Sequence, residues 1–363
     1  FRVLLEQSTR PFVILGGGGW SAEACRDVQS FAENWDLPLG VSFRCQDYVD
    51  NEHDHYAGDV GIGINPKLAQ RVKNADLLIV LGARLGEMTT GGYELIAIPE
   101  PEQDLIHVYP GAEEIGRVYH PRLGINAGMR AMAAALKTMA APKSVPWSDQ
   151  RKQAREDLLA WRKAPQIPGP VQMGPIMEIL CNELPDDAIL CNGAGNYSTW
   201  PNRFYRYRQY KTLLGPTSGS MGYGTPAAVG AKRLYPDRTV IAFAGDGCFL
   251  MHGQELATAV QYDLAIIVIV INNTMYGTIR MHQEREYPGR ITATELKNPD
   301  FVAYAKAFGA HGELVEKTED FAPAFDRCLE SKRPSLIEIR IDPQAITPAM
   351  TLNDIREKAL ANK

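Results

Sequence analysis

Residues 239–247 read TVIAFAGDG, and residues 264–273 read LAIIVIVINN. Each stretch is a continuous apolar run that ends in small or polar residues. This is the pattern of a strand that is buried on both faces of a parallel sheet. The intervening residues 253–262 predict a helix that returns the chain in a right-handed crossover. The two stretches therefore predict a βαβ unit within an α/β protein.

The polar residues that end these two strands are candidates for a metal and phosphate site. Asp246 lies between Gly245 and Gly247, and Asn273 ends the second stretch. In open α/β sheets, ligands bind at the carboxyl ends of the strands. Aspartate and asparagine supply hard oxygen ligands for Mg²⁺, and the glycines let backbone N–H groups near Cys248 approach a phosphate. A tight turn and a strand-ending loop remain the alternative for either piece alone.

The same alternation of strands and helices runs through both halves of the 363 residues. The predicted strands are 11–15, 37–43, 77–81 and 105–109 in the first half, and 188–191, 239–244, 264–271 and 335–341 in the second. The predicted helices include 21–35, with Ser21 as its N-cap, 66–74, 149–163 and 175–184. Prolines cluster between positions 142 and 175, as is typical of a domain boundary. We predict two doubly wound parallel-sheet domains: a Rossmann-like domain at 1–147, a linker at 148–174 and a second domain at 175–363.

Composition excludes several classes of protein. Apolar residues make up 45% and charged residues 22%, which is typical of a folded chain. The formal charge of −5 and the lack of a basic block give no footprint for nucleic acid. The six cysteines include no Cys-x-x-Cys pair, so neither a disulfide scaffold nor structural zinc is expected. No apolar run approaches about 20 residues, and the first residues lack a signal-peptide pattern, so we expect a cytoplasmic protein without a membrane segment.

Three segments resemble motifs of the thiamine diphosphate-dependent enzymes, in the order that this family shows. The first is 192–197, NGAGNY, which is similar to the loop placed against the diphosphate. The second is 219–231, GSMGYGTPAAVGA, which is similar to the segment that holds the middle of the cofactor in acetolactate synthase-like members. The third is Gly-Asp-Gly at 245–247 with the later Asn-Asn pair. The first half resembles the central domain of these enzymes, which binds no thiamine.

The resemblance implies a role for each residue of the third motif. Asp246, the side chain of Asn273 and the main-chain carbonyl of Met275 would bind Mg²⁺. Gly247 and Cys248 would donate backbone hydrogen bonds to the diphosphate of thiamine diphosphate. These residues form the predicted metal site and part of the predicted cofactor site.

The other two motifs complete the cofactor site that the resemblance implies. Asn196 and Tyr197 would assist in binding the diphosphate, and they are also common turn residues. Met221 would separate the two rings of the cofactor, although methionine also fills irregular gaps in a core. The main-chain carbonyl of Gly219 would accept a hydrogen bond from the aminopyrimidine.

The resemblance also implies partners that this sequence does not contain. In the family, a glutamate on an N-terminal pyrimidine-binding domain activates the cofactor, and each site is shared by two subunits. The chain starts at Phe1, at what resembles the start of the central domain. We therefore expect a domain of about 150 residues to be missing, and with it the catalytic glutamate. The full-length parent is expected to be a homodimer or homotetramer acting on a small 2-oxo acid or aldehyde.

Two departures from the acetolactate synthase pattern concern substrate and flavin. His282 stands where these enzymes carry a tryptophan, so substrate choice is open; His282 either faces the substrate or lies on the surface. Residues 82–87 read GARLGE where flavin-binding relatives have Gly-x-Arg-Phe-Asp-Asp. The loss of the acidic pair makes FAD doubtful.

Other interpretations compete with a thiamine diphosphate enzyme that decarboxylates or joins 2-oxo acids. The four glycines at 16–19 follow a strand and suggest an NAD-dependent dehydrogenase, but Ser21 interrupts the Gly-x-Gly-x-x-Gly spacing and no acid ends the second strand. A non-catalytic cofactor-binding fragment or scaffold is a third possibility. His53, Asp54 and His55 suggest a metal site, against which a solvated loop over 50–59 is preferred.

Overall fold

The computed structural model describes residues 1–362, which form two compact units. The first contains Phe1–Lys163 together with Arg206–Leu213, and the second contains Ala164–Tyr205 and the chain from Leu214 onward. This division differs from the predicted linker at 148–174. Residues Ser148–Trp161 form a helix of the first unit, because Ala154 and Leu158 on one of its faces are buried there.

The first unit is built around a parallel six-stranded sheet. Its strands β1 to β6 are Pro11–Leu15, Leu39–Ser42, Tyr56–Val60, Leu77–Leu81, Asp104–Tyr109 and Leu123–Asn126. Its helices α1 to α6 are Arg2–Gln7, Ala22–Trp35, Pro66–Asn74, Glu87–Thr90, Met129–Lys137 and Ser148–Trp161. The strand order is β3-β2-β1-β4-β5-β6. Every residue of the central strands β1 and β4 is buried, as the continuous apolar runs predict.

The second sheet also has six strands. Strands β7 to β12 are Ile189–Asn192, Leu213–Leu214, Val240–Gly245, Ile267–Asn272, His311–Val315 and Ser335–Arg340. Helices α7 to α15 are Met173–Glu183, Thr199–Phe204, Gly224–Leu234, Asp246–His252, Leu256–Gln261, Gly277–Glu286, Phe301–Ala307, Phe321–Ser331 and Leu352–Ala361. The order is β11-β12-β10-β9-β7-β8, and the pairs from β11 to β7 are parallel.

The register of β9 and β10 brings the ends of the two diagnostic strands together. Gly245 lies opposite Ile271, so that Asp246 and Asn272 follow at the same edge of the sheet. This is the carboxyl edge, where open α/β sheets bind their ligands. The topology therefore places the polar residues that end the two strands where a shared site can form.

The predicted fold class, two doubly wound parallel-sheet domains, is confirmed. Ser21 caps α2 as predicted, because its hydroxyl accepts a hydrogen bond from the Ala24 N–H at 3.1 Å. The strand β3 was missed. Its sequence, YAGDV, contains glycine and aspartate, and it lies partly within the stretch 50–59, for which the sequence predicts a solvated loop. That interpretation is wrong for residues 56–59, of which Tyr56 and Ala57 are buried.

Within residues 1–362, every helix is too short or too polar to span a lipid bilayer.

Candidate functional site

A pocket of about 250 Å³ lies in the second unit, at the carboxyl edge of its sheet. All nine residues that the sequence predicts for the cofactor and metal site line this pocket: Asn196, Tyr197, Gly219, Met221, Asp246, Gly247, Cys248, Asn273 and Met275. Other lining residues were not selected, among them Trp200, Tyr276, Thr278, Ile279, Ile341 and Ile346. The structure thus brings the three motifs to one place, while the individual roles of their residues remain predictions.

Asp246 is the first residue of α10, directly after β9. It is only 2% exposed, and burial raises the pKa of its carboxyl group above the ordinary value. The neighbouring Gly247 allows this arrangement because a Cβ at position 247 would lie 2.6 Å from a ring carbon of Tyr276. Any larger residue at position 247 would displace the Tyr276 ring from the wall of the pocket.

The Asp246 carboxylate has hydrogen-bond donors but no cation. Its Oδ1 accepts from the Gly247 N–H at 2.9 Å, and its Oδ2 accepts from Asn298 Nδ2 at 2.8 Å. No lysine, arginine or histidine among residues 1–362 forms an ion pair with it. A buried carboxylate without a compensating charge is costly, so this environment fits a bound cation.

The remaining predicted metal ligands lie on the turn after β10. Asn273 is half-buried and Met275 is 9% exposed, and both line the pocket with Asp246. Thr274 between them has a φ of 58°, a left-handed conformation. The described residues hold no cluster of three His, Cys, Asp or Glu side chains that could bind a metal. A cation here would therefore depend on one carboxylate, one amide and one main-chain oxygen, which are hard ligands of the kind that Mg²⁺ takes.

Tyr197 and Cys248 line the pocket and are in hydrogen-bond contact with each other. The Tyr197 hydroxyl accepts from the Gly193 N–H at 3.0 Å and lies 3.1 Å from Cys248 Sγ. The Gly222 N–H donates to the same sulfur at 3.1 Å. These contacts fix the loops of the first two motifs to the start of α10.

The side chain of Asn196 is engaged within the protein. Its Nδ2 donates to the main-chain oxygen of Ile346 at 3.1 Å, and its Oδ1 accepts from Thr278 Oγ1 at 2.9 Å. The Asn196 N–H donates to the same threonine oxygen at 2.9 Å. These bonds favour a role in holding the first-motif loop against α12 rather than the predicted direct contact with the diphosphate.

Gly219 and Met221 lie on the segment before α9. Gly219 has a φ of 72°, in the left-handed region that favours glycine. Met221 is half-buried and lines the pocket, so it does not serve as a gap-filler in the core. Its position is compatible with the wedge that the resemblance implies.

The candidate histidines lie outside the pocket. His282 is exposed on α12 and is not a lining residue, which favours the surface interpretation. His53 Nε2 lies 2.7 Å from Glu33 Oε1, and His55 Nδ1 lies 3.0 Å from the main-chain oxygen of Leu37. These two histidines thus have protein partners within the first unit.

The glycine-rich turn at 16–19 has a structural explanation. A Cβ on Gly17 would collide with the main-chain oxygen of Gly82, and Gly17 has a φ of 67°. The Tyr48 hydroxyl also donates to the main-chain oxygen of Gly17. The turn after β1 therefore packs against the turn after β4, which accounts for the glycine without a dinucleotide.

The fold and the pocket define the second unit as an α/β domain with a candidate ligand site at the carboxyl edge of its parallel sheet. Residues 193–339 match the family model described as thiamine pyrophosphate enzyme, C-terminal TPP binding domain. Residues 3–136 match the model for the central domain of the thiamine pyrophosphate enzymes. The chain belongs to the thiamine pyrophosphate enzyme family, as the resemblance predicted, and these matches replace the dehydrogenase interpretation.

Curated relatives share this two-domain region. The chain is 30% identical over 357 residues to the acetolactate synthase large subunit of Corynebacterium glutamicum, covering 94% of this chain and 56% of the relative. It is 27% identical over 344 residues to the acetolactate synthase isozyme 2 large subunit of Escherichia coli, covering 94% and 61%. It is 26% identical over 356 residues to a sulfoacetaldehyde acetyltransferase of Alcaligenes xylosoxydans, covering 90% and 59%. The chain therefore spans little more than half the length of these relatives.

Proposed function

We propose that the complete protein is a thiamine diphosphate- and Mg²⁺-dependent enzyme of the acetolactate synthase type. It would decarboxylate a 2-oxo acid, join the product to a second carbonyl compound, or do both, as a lyase or transferase. The observation that carries the proposal is the pocket in which three separate sequence motifs meet around Asp246, a buried carboxylate without a cationic partner among residues 1–362.

In this proposal Asp246, Asn273 and the main-chain oxygen of Met275 hold the Mg²⁺ ion. The main-chain N–H of Cys248 would donate to the diphosphate, and the Gly247 N–H, which donates to Asp246 Oδ1 in this structure, would do so once the Asp246 carboxylate turns to the metal. The support is the chemistry of the donor set together with the position of all five residues in the pocket wall.

The rest of the pocket would orient the cofactor and exclude water. When bound, thiamine diphosphate supplies a carbanion and an electron sink for decarboxylation. Met221 would support the bent shape of the cofactor, and the Gly219 carbonyl would accept a hydrogen bond from its aminopyrimidine. Apolar side chains that line the pocket, including Ile279 and Ile346, would keep water from the reacting atoms.

A second subunit and a further domain are part of the proposal. The activating glutamate would come from a pyrimidine-binding domain, and the enzyme would act as a homodimer or homotetramer. Three apolar side chains near the pocket support a covering partner: Leu250 is 41% exposed, Met251 43% and Ile279 52%. The six cysteines are free thiols, which supports a reducing location such as the cytoplasm.

Flavin is left out of this proposal. Gly86 and Glu87 stand where flavin-binding relatives carry the acidic pair, so we expect the purified complete protein to lack a flavin absorption spectrum. Bound flavin in that preparation would contradict this part of the proposal and leave the thiamine diphosphate site intact.

The deciding experiment is calorimetric titration of the complete protein with thiamine diphosphate, with Mg²⁺ and with EDTA in its place. We expect binding that requires Mg²⁺ and that Asp246→Ala weakens by about 3–5 kcal/mol. The matched control is Asp326→Ala, which removes an exposed aspartate from α14. Affinity retained in Asp246→Ala would refute the proposal. Binding without release of CO₂ from any 2-oxo acid would instead support the non-catalytic alternative.

A further inference from the structure

A line of polar side chains leads from Asp246 away from the pocket to the strand β12. Asn298 Nδ2 donates to Asp246 Oδ2 at 2.8 Å and to Asn272 Oδ1 at 2.9 Å. Asn272 Nδ2 in turn donates to Glu338 Oε1 at 2.8 Å. Asn272 and Glu338 are 6% and 1% exposed. These three side chains are not among the residues that line the pocket, so they support Asp246 from outside the pocket wall.

The direction of each hydrogen bond in this line is fixed by chemistry. Glu338 Oε1 accepts a hydrogen bond from Arg340 Nε at 2.9 Å, and a carboxylate only accepts hydrogen bonds. Asn272 must therefore direct its NH₂ group to Glu338 and its oxygen away from it. That oxygen is then available to Asn298, whose NH₂ group must face both Asn272 and Asp246. Reversing any one amide would place two acceptors against each other.

The amide of Asn298 keeps this orientation although it leaves the amide oxygen without a hydrogen bond. Asn298 Oδ1 is buried and has no hydrogen-bond partner among residues 1–362. A buried acceptor without a partner is rare in folded proteins and usually has a specific reason. Here the reason is that the two acceptors, Asp246 and Asn272, determine where the NH₂ group points.

The same asparagine oxygen also reaches the turn that carries the other predicted ligands. Asn272 Oδ1 accepts the Thr274 N–H at 3.0 Å, and Thr274 lies between Asn273 and Met275. One oxygen is thus shared by the turn after β10 and by the amide that holds Asp246. The two residues of the Asn-Asn pair consequently have different surroundings: Asn272 is buried in this network, and Asn273 lines the pocket.

We infer that Asn298, oriented by Asn272 and Glu338, is a positioning residue that fixes the Asp246 carboxylate relative to the turn at 273–275 and thereby sets the affinity of the site for its divalent cation. The inference rests on the proposed function, because it assumes that Asp246 binds a cation. Hydrogen bonds that orient a metal-binding carboxylate commonly change metal affinity about 10- to 100-fold when they are removed.

The test uses Asn298→Leu in the complete protein, because leucine has a similar volume and no hydrogen-bond donor. The probe is Mn²⁺, titrated in the presence of thiamine diphosphate and followed by its electron paramagnetic resonance signal. We expect the dissociation constant for Mn²⁺ to rise about 10- to 100-fold. Asn298→Gln, which keeps the amide, should recover part of this loss. The matched control is Asn353→Leu at an exposed position of α15, which should bind Mn²⁺ as the wild type does.

The outcomes separate this inference from the proposed function. If the wild-type protein binds no Mn²⁺ with thiamine diphosphate, the proposed function fails. If the wild type binds Mn²⁺ and Asn298→Leu binds it equally well, the inference is overturned while the proposed function stands. A lower thermal unfolding temperature with unchanged Mn²⁺ affinity would likewise assign Asn298 a purely structural role. Should Asn298→Leu fail to fold, Asn298→Ala is measured against the same expectations.

Discussion

Asp47 in the first unit and Asp246 in the second are both buried carboxylates that follow a strand of a parallel six-stranded sheet. They are 4% and 2% exposed. Asp47 Oδ2 accepts three main-chain N–H groups, from Lys211, Thr212 and Leu213, at 2.9, 3.1 and 3.3 Å. Asp246 accepts the Gly247 N–H and the amide of Asn298. The main-chain N–H groups of Thr274 and Met275 also favour its charged form, and Asp246 lines the pocket.

The comparison shows that one architecture gives two buried aspartates different surroundings, for which we propose different roles. Asp47 is satisfied by the protein itself, so its carboxylate holds the segment 206–213 in the first unit. Asp246 instead lies in the wall of a pocket, next to the other residues predicted for the metal and cofactor site. Fold alone does not decide between these uses, because both sheets have the same doubly wound architecture. The groups that surround the carboxylate decide whether the aspartate is structural or available to a ligand.

The largest effect that we expect is on cofactor binding by Asp246→Ala. Removal of a charged metal ligand should weaken Mg²⁺-dependent binding of thiamine diphosphate by about 3–5 kcal/mol. The free energy of unfolding without cofactor should change by only about 1 kcal/mol, since the carboxylate has no ion pair to lose. Calorimetry and urea unfolding measure the two quantities on one preparation. A large loss of stability without cofactor would show that Asp246, like Asp47, is a structural acid.

Asp47→Ala should have the opposite profile. It leaves three main-chain N–H groups without their acceptor, so we expect the free energy of unfolding to fall by about 2–4 kcal/mol. Urea unfolding measures this loss, and the exposed Asp54→Ala serves as the control. Unchanged stability in Asp47→Ala would contradict the structural role that distinguishes the two aspartates.

A smaller effect concerns pH. Burial raises the pKa of Asp47 from 3.8 to about 6. The native state therefore holds this proton more tightly than the unfolded chain, and the resulting stabilisation is complete below about pH 4 and is lost as the pH rises through about 6. The Asp47→Asn variant should lack this component, so its unfolding free energy should depend less on pH across the window, by about 3 kcal/mol. Parallel pH profiles for wild type and variant, from urea unfolding, would contradict the assignment.

The smallest effect is expected at the wall of the second unit's pocket. Thr278→Val removes the hydroxyl that bonds both the main chain and the side chain of Asn196. We expect thiamine diphosphate affinity to fall by about 1 kcal/mol, which is roughly fivefold. The exposed Thr292→Val provides the comparison. Equal affinities in the two variants would indicate that the Asn196 loop is held without this threonine.

The sequence predicts correctly those strands and helices whose residue pattern is local and strong. The apolar runs predicted the central strands β1, β4, β9 and β10 to within a few residues, because a strand buried on both faces needs apolar residues throughout. The strand β3 was missed, since Gly58 and Asp59 break the apolar pattern that identifies a buried strand. Parallel pairing with β2 supplies the hydrogen bonds that hold this segment extended.

In the candidate site, too, residues that belong to a sequence motif are predicted and residues outside the motifs are not. The three motifs carry their own signatures, and all nine selected residues line the pocket. Asn298 and Thr278 carry no such signature, because the residues next to them in sequence do not indicate a contact with Asp246 or Asn196. Both contacts join positions far apart in sequence, with separations of 52 and 82 residues.

The sequence by itself determined the α/β class, the two domains and the edge of the second sheet at which the chemistry lies, because periodicity and short motifs act within a few residues of one another. Only the tertiary structure decided that Asp47 is held by main-chain groups of a distant segment and that Asp246 lies in the wall of a pocket. That distinction depends on hydrogen-bond partners brought from distant parts of the chain, as with residues 211–213 at Asp47 and Asn298 at Asp246.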